Sequence, residues 1–312
     1  MTTFAVVFPG QGSQSVGMLD AFGDHPEVRR TLAEASDALG EDIAALIHAG
    51  PKERLDLTTN TQPVMLTAGV ACWRALHAET GLEPVAVAGH SLGEYAALVA
   101  AGVLSLADAL PLVRFRAQAM QEAVPPGEGA MAAILGLDAD AVVDGCAQAA
   151  AATGQVVTAA NFNDPKQTVI AGTKAAVDKA CDILKAAGAK RALPLAVSAP
   201  FHCPLMKPAA DRLKERLATV ALAAPRIAVV NNVDVASPTD PAAIADALYR
   251  QAYQPVRWVE VVRALRARGV THVVECGPGK VLAGLTKRID AELVSAAVYD
   301  PATLTEVKGL LQ

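Results

Sequence analysis

Aromatic residues make up only 4% of the 312 residues, and nowhere do they interleave with clustered lysine and arginine. With a net charge of -5, that absence disfavours a nucleic-acid binder. No apolar run of membrane-spanning length is present, and Met1-Thr2-Thr3-Phe4 leads into a strand-like segment with neither a basic stretch nor a signal-type apolar core. A cytoplasmic protein with no membrane contact is expected. The five cysteines, Cys72, Cys146, Cys181, Cys203 and Cys276, form no C-x-x-C pair, and their odd number and wide scatter read as free thiols in a reducing compartment. His, Cys and Asp nowhere fall at zinc-ligand spacing, so no metal is implied. Gly10-Gln11-Gly12-Ser13-Gln14-Ser15 lacks the third glycine of a dinucleotide fingerprint and the Gly-Lys-Ser/Thr ending of a P-loop, which disfavours nucleotide binding. There is no internal repeat, and no low-complexity tract beyond abundant alanine.

What is present is a 52% hydrophobic chain, long enough for one large domain with an insertion. Phe4 to Phe8 reads as a strand, followed by helical patterns to about Thr80 with breaks near Gly40 and Pro51. Helices resume after residue 93 and run to about Ala123, the second starting at Ser105 as N-cap with Asp108 three residues on to accept from the cap amide. Pro125-Pro126-Gly127 closes this block. From Ala130 to Val197 the order becomes β-α-β-β-α-β, with strands at 130–135, 156–161, 168–171 and 191–197 and helices at 139–152 and 174–187. That order matches a ferredoxin-like split unit. Residues 204–288 then return to α/β alternation. The expected class is α/β: an α/β-hydrolase-like core with a mostly parallel sheet over residues 1–127 and 198–312, and an inserted ferredoxin-like subdomain over 128–197.

Chemistry concentrates at Gly89-His90-Ser91-Leu92-Gly93, a G-x-S-x-G string after the apolar run Val85-Ala86-Val87-Ala88 and before an Ala/Leu-rich helical pattern. The string alone is weak, because glycine and serine are common in turns. Between a strand and a helix it reads as a nucleophile elbow, with the serine oxygen exposed and the first helical amides facing any developing anion. A serine alcohol needs a base, usually histidine. His25, His48 and His77 read as surface residues, His272 begins a strand, and His90 lies within the elbow, where its side chain helps line the pocket. His202, in Ser198-Ala199-Pro200-Phe201-His202-Cys203-Pro204, lies just after the inserted unit. On spacing alone, a catalytic base and an ordinary loop histidine stand even there. Cys203 beside His202 is disfavoured as a nucleophile, since chain neighbours usually point in different directions. Oxyanion donors are expected from the Leu92 amide and from the Gly10-Gln11-Gly12 turn. No acidic partner for the histidine declares itself, and Asp164 in Asn163-Asp164-Pro165 reads as a turn residue.

Several segments, in order, resemble one family. Phe8-Pro9-Gly10-Gln11-Gly12-Ser13-Gln14, Gly89 to Tyr95, Arg116 with Met120-Gln121, Ala160-Asn161-Phe162-Asn163, Val169 to Gly172, Pro200 to His202, Asn231 to Asp234, Gln251 to Val256 and Glu275 to Lys280 are similar to the malonyl-CoA:acyl carrier protein transacylases of fatty-acid synthesis. The resemblance runs from about Phe4 to about Arg288. It implies that Ser91 is acylated, that His202 is its base and acid, that the Gln251 main-chain carbonyl orients His202, and that the Gln11 and Leu92 amides form the oxyanion hole. It also implies that Arg116 pairs with the free malonyl carboxylate, a role that two parallel guanidinium hydrogen bonds suit. On its own residues Arg116 reads as a solvated helix residue. His90, Phe201 and Asn161 are expected at the substrate, with the Phe201 ring either filling the space an α-methyl would need or simply packing in the core.

The reaction so implied is ping-pong transfer of malonyl from malonyl-CoA to the phosphopantetheine thiol of acyl carrier protein, with no cofactor, since the coenzyme A thioester is a substrate. The same chemistry serves polyketide carriers, and a serine esterase or thioesterase is the nearest rival. Lys185, Lys190, Arg191, Lys287 and Arg288 are candidates for contact with an acidic carrier. The resemblance implies a monomer.

Overall fold

The computed structural model describes residues 2–312. Along these residues run the strands Phe4–Phe8 (β1), Ala86–Gly89 (β2), Gly129–Leu135 (β3), Val157–Asp164 (β4), Gln167–Thr173 (β5), Arg191–Pro194 (β6), Ala228–Val230 (β7), His272–Cys276 (β8) and Val294–Val298 (β9). Five of them form a sheet in the order β7-β2-β1-β8-β9, every pairing parallel. The other four form a separate sheet in the order β4-β5-β3-β6, every pairing antiparallel.

Alternation along β1 explains the layering of the larger sheet. Successive strand side chains point to opposite faces, and a parallel sheet needs both faces covered. Phe4, Val6 and Phe8 join one core, while Ala5 and Val7 join another. Over the first face lies the helix Thr58–Thr80, buried along most of its length and lacking a polar side, as a central helix should. The helices Gly93–Ala100 and Leu106–Glu122 share that core. Trp258–Ala267 and Val281–Ile289 cover the second face through Trp258, Val261, Leu265, Leu282 and Leu285.

The smaller sheet packs one face against the helices Ala139–Thr153 and Lys174–Ala186 through Ile134, Ile170, Val142, Val177 and Leu184. Its other face, with Met131, Ala133, Ala160 and Val169, closes on Cys203, Phe201 and Leu205. A register shift between Ala159 and Asn161 turns the free edge of β4 toward the larger unit. There Val256 N donates to Ala160 O at 2.9 Å, and Phe162 N donates to Val256 O at 2.9 Å. Arg288 Nε donates to Asp164 Oδ2 at 2.7 Å alongside. Asp164 is therefore a buried ion-pair partner at the end of β4 as well as a turn residue.

Some boundaries differ from expectation. β6 stops at Pro194, which has no amide to continue a ladder, and Leu195 to Val197 become an irregular, partly exposed segment. The chain after Arg288, not assigned from sequence, adds β9 and the helix Pro301–Leu311, whose Asp300 cap accepts from Thr303 N at 2.7 Å. β9 is short, alanine-rich and half-exposed, so its apolar alternation is weak. At Ser105 the cap is present, but Asp108 accepts from the Ser105 hydroxyl at 2.5 Å and not from its amide. All five cysteines are free and buried. Among the described residues no helix is long and apolar enough to cross a membrane.

Candidate active site

The loops after β1, β2 and β7 converge at the carboxyl ends of the parallel strands, where open α/β sheets usually bind ligands. Phe8 pairs with Gly89, and His90 N donates to Phe8 O at 2.9 Å, so the Gly10-Gln11 turn lies beside the elbow. The glycines of the elbow serve close approach. A β-carbon would lie 1.9 Å from the Gly93 carbonyl if placed at Gly89, and 2.0 Å from the Phe8 carbonyl oxygen if placed at Gly93. Positive φ falls instead on the serine itself, at 53°. Such a conformation costs a non-glycine residue on the order of 1–3 kcal/mol and persists where its surroundings enforce it. Here Asn232 Oδ1 accepts from Ser91 N at 2.8 Å, and Gln251 Nε2 donates to Ser91 O at 2.9 Å.

His202 arrives from the loop that leaves the smaller sheet, and it too has positive φ, at 59°. Its Nε2 lies 2.6 Å from Ser91 Oγ and its Nδ1 2.9 Å from the Gln251 main-chain oxygen. A carbonyl oxygen can only accept, so Nδ1 carries a proton. Burial, and then the Arg116 charge, push the ring's pKa down to about 3, so the ring is neutral at physiological pH. Nε2 must then be the acceptor for the serine hydroxyl. A main-chain carbonyl thus fills the place of an acid. Among the described residues, neither the Gln11 nor the Leu92 amide donates a hydrogen bond within the protein.

Arg116 lies on the buried side of its helix and is only 2% exposed. Its Nη1 donates to Gln62 Oε1 at 2.8 Å, and its Nη2 donates to Gln251 Oε1 at 3.0 Å and to Ser91 Oγ at 3.2 Å. Nε has no hydrogen-bond partner. A buried guanidinium beside the serine has the charge and planar donor geometry that suit an anionic group. Reading Arg116 from its own residues as solvated is therefore corrected: Leu112, Val113, Ala119 and Met120, three or four positions away, are buried on the same side of the helix.

The pocket over Ser91 is lined by Gln11, His90, Arg116, Asn161, Phe201 and His202, joined by Met131, Leu195 and Val197. The structure therefore brings seven of the nine expected site residues to one pocket; Gln251 meets His202 through its main-chain oxygen, and Leu92 follows Ser91 in the elbow. His90 Nε2 lies 2.8 Å from Asn163 Oδ1, tying the elbow to β4. Burial lowers the His90 pKa. Of the other histidines, His48 is exposed beside Asp20, while His25, His77 and His272 are half-buried away from the pocket. Lys185, Lys190 and Arg191 belong to the unit around the smaller sheet. Lys287 and Arg288 follow on the helix Val281–Ile289, Arg288 already paired with Asp164.

Sequence reasoning did not single out Gln62, Glu94 or Asn232. Glu94 had a signal, as the one charged residue in Gly93–Ala100. Asn232 falls in a segment that carries the family resemblance, with no role attached to it, and Gln62 has no signal, because a buried amide looks like a surface amide in sequence.

Comparison with known proteins gives a consistent picture. An acyl transferase domain profile matches residues 5–301. The malonyl CoA-acyl carrier protein transacylase of Salmonella typhimurium is 56% identical over 306 residues, covering 98% of each chain. The crystal structure of the acyl-carrier-protein S-malonyltransferase from Burkholderia pseudomallei is 66% identical, with a TM-score of 0.97 over 99% of this chain and 100% of that one. A malonyl-transacylase solved in complex with a type II PKS acyl-carrier protein is 52% identical, with a TM-score of 0.96 over 99% and 100% of the two chains. The chain belongs to the acyl transferase domain family, within the malonyl CoA-acyl carrier protein transacylases, and is an acyltransferase.

Proposed function

We propose that this enzyme transfers malonyl from malonyl-CoA to the phosphopantetheine thiol of acyl carrier protein through a malonyl-Ser91 intermediate, supplying fatty-acid elongation. The observation that carries the reading is the Ser91–His202–Gln251 relay with the Arg116 guanidinium at its side in one pocket. Malonyl-CoA enters with its free carboxylate on Arg116. Ser91 Oγ attacks the thioester carbonyl as His202 Nε2 takes the hydroxyl proton, and the Gln11 and Leu92 amides donate to the oxyanion. Collapse breaks the carbon–sulfur bond, and the imidazolium returns the proton to the departing thiol. The carrier thiol repeats the sequence in reverse, restoring free Ser91. One thioester is exchanged for another through the serine ester, so the net transfer is nearly balanced in energy and calls for no ATP, metal or cofactor. Met131, Leu195, Val197 and Phe201 give the pocket an apolar wall that keeps water from the intermediate, which disfavours hydrolysis.

The element order of residues 128–197, with both helices on one face of the antiparallel sheet, supports a ferredoxin-like subdomain set into an α/β-hydrolase-like core over 1–127 and 198–312. The elbow and the parallel sheet support the latter. The chain acts as a monomer that binds neither nucleic acid nor membrane and works in the cytoplasm. Lys185, Lys190, Arg191 and Lys287 offer positive charge to an acidic carrier; Arg288 is committed in part to Asp164.

Intact-protein mass after mixing with malonyl-CoA tests the reading. A malonyl adduct is expected, absent in Ser91→Ala and discharged by carrier protein. Turnover to free malonate without carrier would instead indicate a hydrolase, and no adduct would remove both. The likeness to a malonyl-transacylase bound to a type II PKS carrier favours a second reading, delivery to a polyketide carrier. Discharge by the two carrier types, measured side by side, separates them.

A further inference from the structure

Beneath the Ser91–His202 pair lies a carboxyl group that the steps above do not use. Glu94 is 2% exposed, and its Oε2 accepts from Gln251 Nε2 at 3.0 Å and from the Asn232 main-chain N at 2.9 Å. These two partners are the residues that hold the rest of the site. A carboxyl oxygen that accepts from Gln251 requires the NH2 end of the Gln251 amide to face Glu94. The oxygen end must then face Arg116, where it accepts from Nη2 at 3.0 Å. Flipped, the amide would set its oxygen against the Glu94 oxygen and its NH2 against the guanidinium, two repulsive contacts in a buried site. In the observed orientation the same NH2 also donates to Ser91 O at 2.9 Å. Asn232, fixed through its main chain, accepts from Ser91 N at 2.8 Å and donates to Gly89 O at 2.7 Å.

We propose that Glu94 is a positioning residue for acyl transfer: it locks the Gln251 amide and Asn232, and through them sets the Arg116 guanidinium and the strained Ser91 backbone. The proposal rests on the reading of Arg116 as the receptor for the malonyl carboxylate. Burial pushes the Glu94 carboxyl up to about 7, partly offset by the bonds from Gln251 and Asn232. A proton on Oε1 leaves Oε2 an acceptor, so the lock holds in either charge state. What position 94 needs is an oxygen acceptor, and glutamine offers one in the same place.

The test compares Glu94→Gln with Glu94→Met, which fills a similar volume without that acceptor, in the full chain. Single-turnover acylation by malonyl-CoA and by acetyl-CoA is followed by mass, with thermal unfolding alongside. Glu94→Gln is expected to keep the malonyl-to-acetyl rate ratio within about threefold of the parent. Glu94→Met is expected to lose at least about tenfold in malonyl acylation and in that ratio. Should Glu94→Met not fold, Gln251→Met carries the second arm: it keeps the main-chain carbonyl for His202 and removes only the amide that Glu94 orients. It is expected to lower the ratio by the same factor, and adding Glu94→Gln to it should change nothing further, since the acceptor at position 94 then has no amide to orient. A folded Glu94→Met or Gln251→Met enzyme with the parental ratio would overturn the proposal, as would a Glu94→Gln enzyme that loses it. Failure of the underlying reading looks different, because Arg116→Ala would then keep the parental ratio.

Discussion

Replacing Arg116 by alanine tests how this site tells one acyl group from another. A malonyl carboxylate on the guanidinium gains two parallel charge-assisted hydrogen bonds, each worth about 1.5–3 kcal/mol. Their loss corresponds to a fall of about 10²- to 10⁴-fold in malonyl acylation. Acetyl has no carboxylate and loses none of this. It loses only the contact from Arg116 Nη2 to Ser91 Oγ at 3.2 Å, a bond the reacting serine gives up in any case. Removing the cation also lifts one of the two main causes that hold the His202 pKa down, so the base becomes stronger. Acetyl acylation is therefore expected to stay within about tenfold of the parent, since at most one or two bonds of about 1 kcal/mol are altered. The substitution strips partners from Gln62 Oε1 and Gln251 Oε1, at a cost of about 1–3 kcal/mol of stability for each buried group left bare. A thermal melt must accompany the kinetics. Arg116→Lys should fall between, keeping the charge but not the planar fork. The assay is quenched single-turnover acylation by each thioester, read as protein mass. Equal loss for malonyl and acetyl in a folded Arg116→Ala protein would refute the reasoning and leave Arg116 a structural residue.

Three further outcomes follow from the geometry. Burial, only partly offset by main-chain amides at the start of Val281–Ile289, raises the Glu275 carboxyl from 4.5 to about 7. The folded protein then holds a proton that the unfolded chain has released, so stability falls as pH rises from about 4.5 to about 7, by on the order of 3 kcal/mol from this group. Urea unfolding at pH 5, 6 and 7 should show a weaker decline in Glu275→Gln; parallel slopes for the two proteins would count against it. Gly93→Ala places a β-carbon 2.0 Å from the Phe8 carbonyl oxygen and should cost more than about 4 kcal/mol, leaving little folded protein by circular dichroism. Full folding and activity there would contradict the close approach. Phe201→Ala opens the pocket wall and should raise methylmalonyl relative to malonyl acylation by about 10- to 200-fold, the worth of one methyl group in an apolar site. An unchanged ratio would assign Phe201 to core packing.

The parts of the site legible in the sequence are those in which a local pattern carries its own geometry. Ser91 was legible because a G-x-S-x-G string between a strand and a helix can make few other shapes. The β-α-β-β-α-β run was legible because each element had its own apolar period, although Pro194 ended the last strand early. β9 was not, because Val294 to Val298 is short and half-exposed. His202 was ambiguous from spacing, since nothing in Pro200 to Pro204 says where the loop returns. Arg116 reads as solvated from its own helix because charge usually means solvent, and only the family resemblance assigns it to the substrate.

The sequence by itself determined most secondary elements up to Arg288, the elbow and the types of residue available, because their patterns are local along the chain. Tertiary structure decided which of them act together. His202 meets Ser91 across 111 positions, and a main-chain oxygen, which has no sequence signature, stands where an acid was sought. Gln62, Glu94, Asn232 and Gln251 are ordinary polar letters until burial removes water and obliges each donor to find an acceptor. That obligation, imposed only when the two sheets close around the loops, joins the serine of a local turn to its histidine and to a buried arginine.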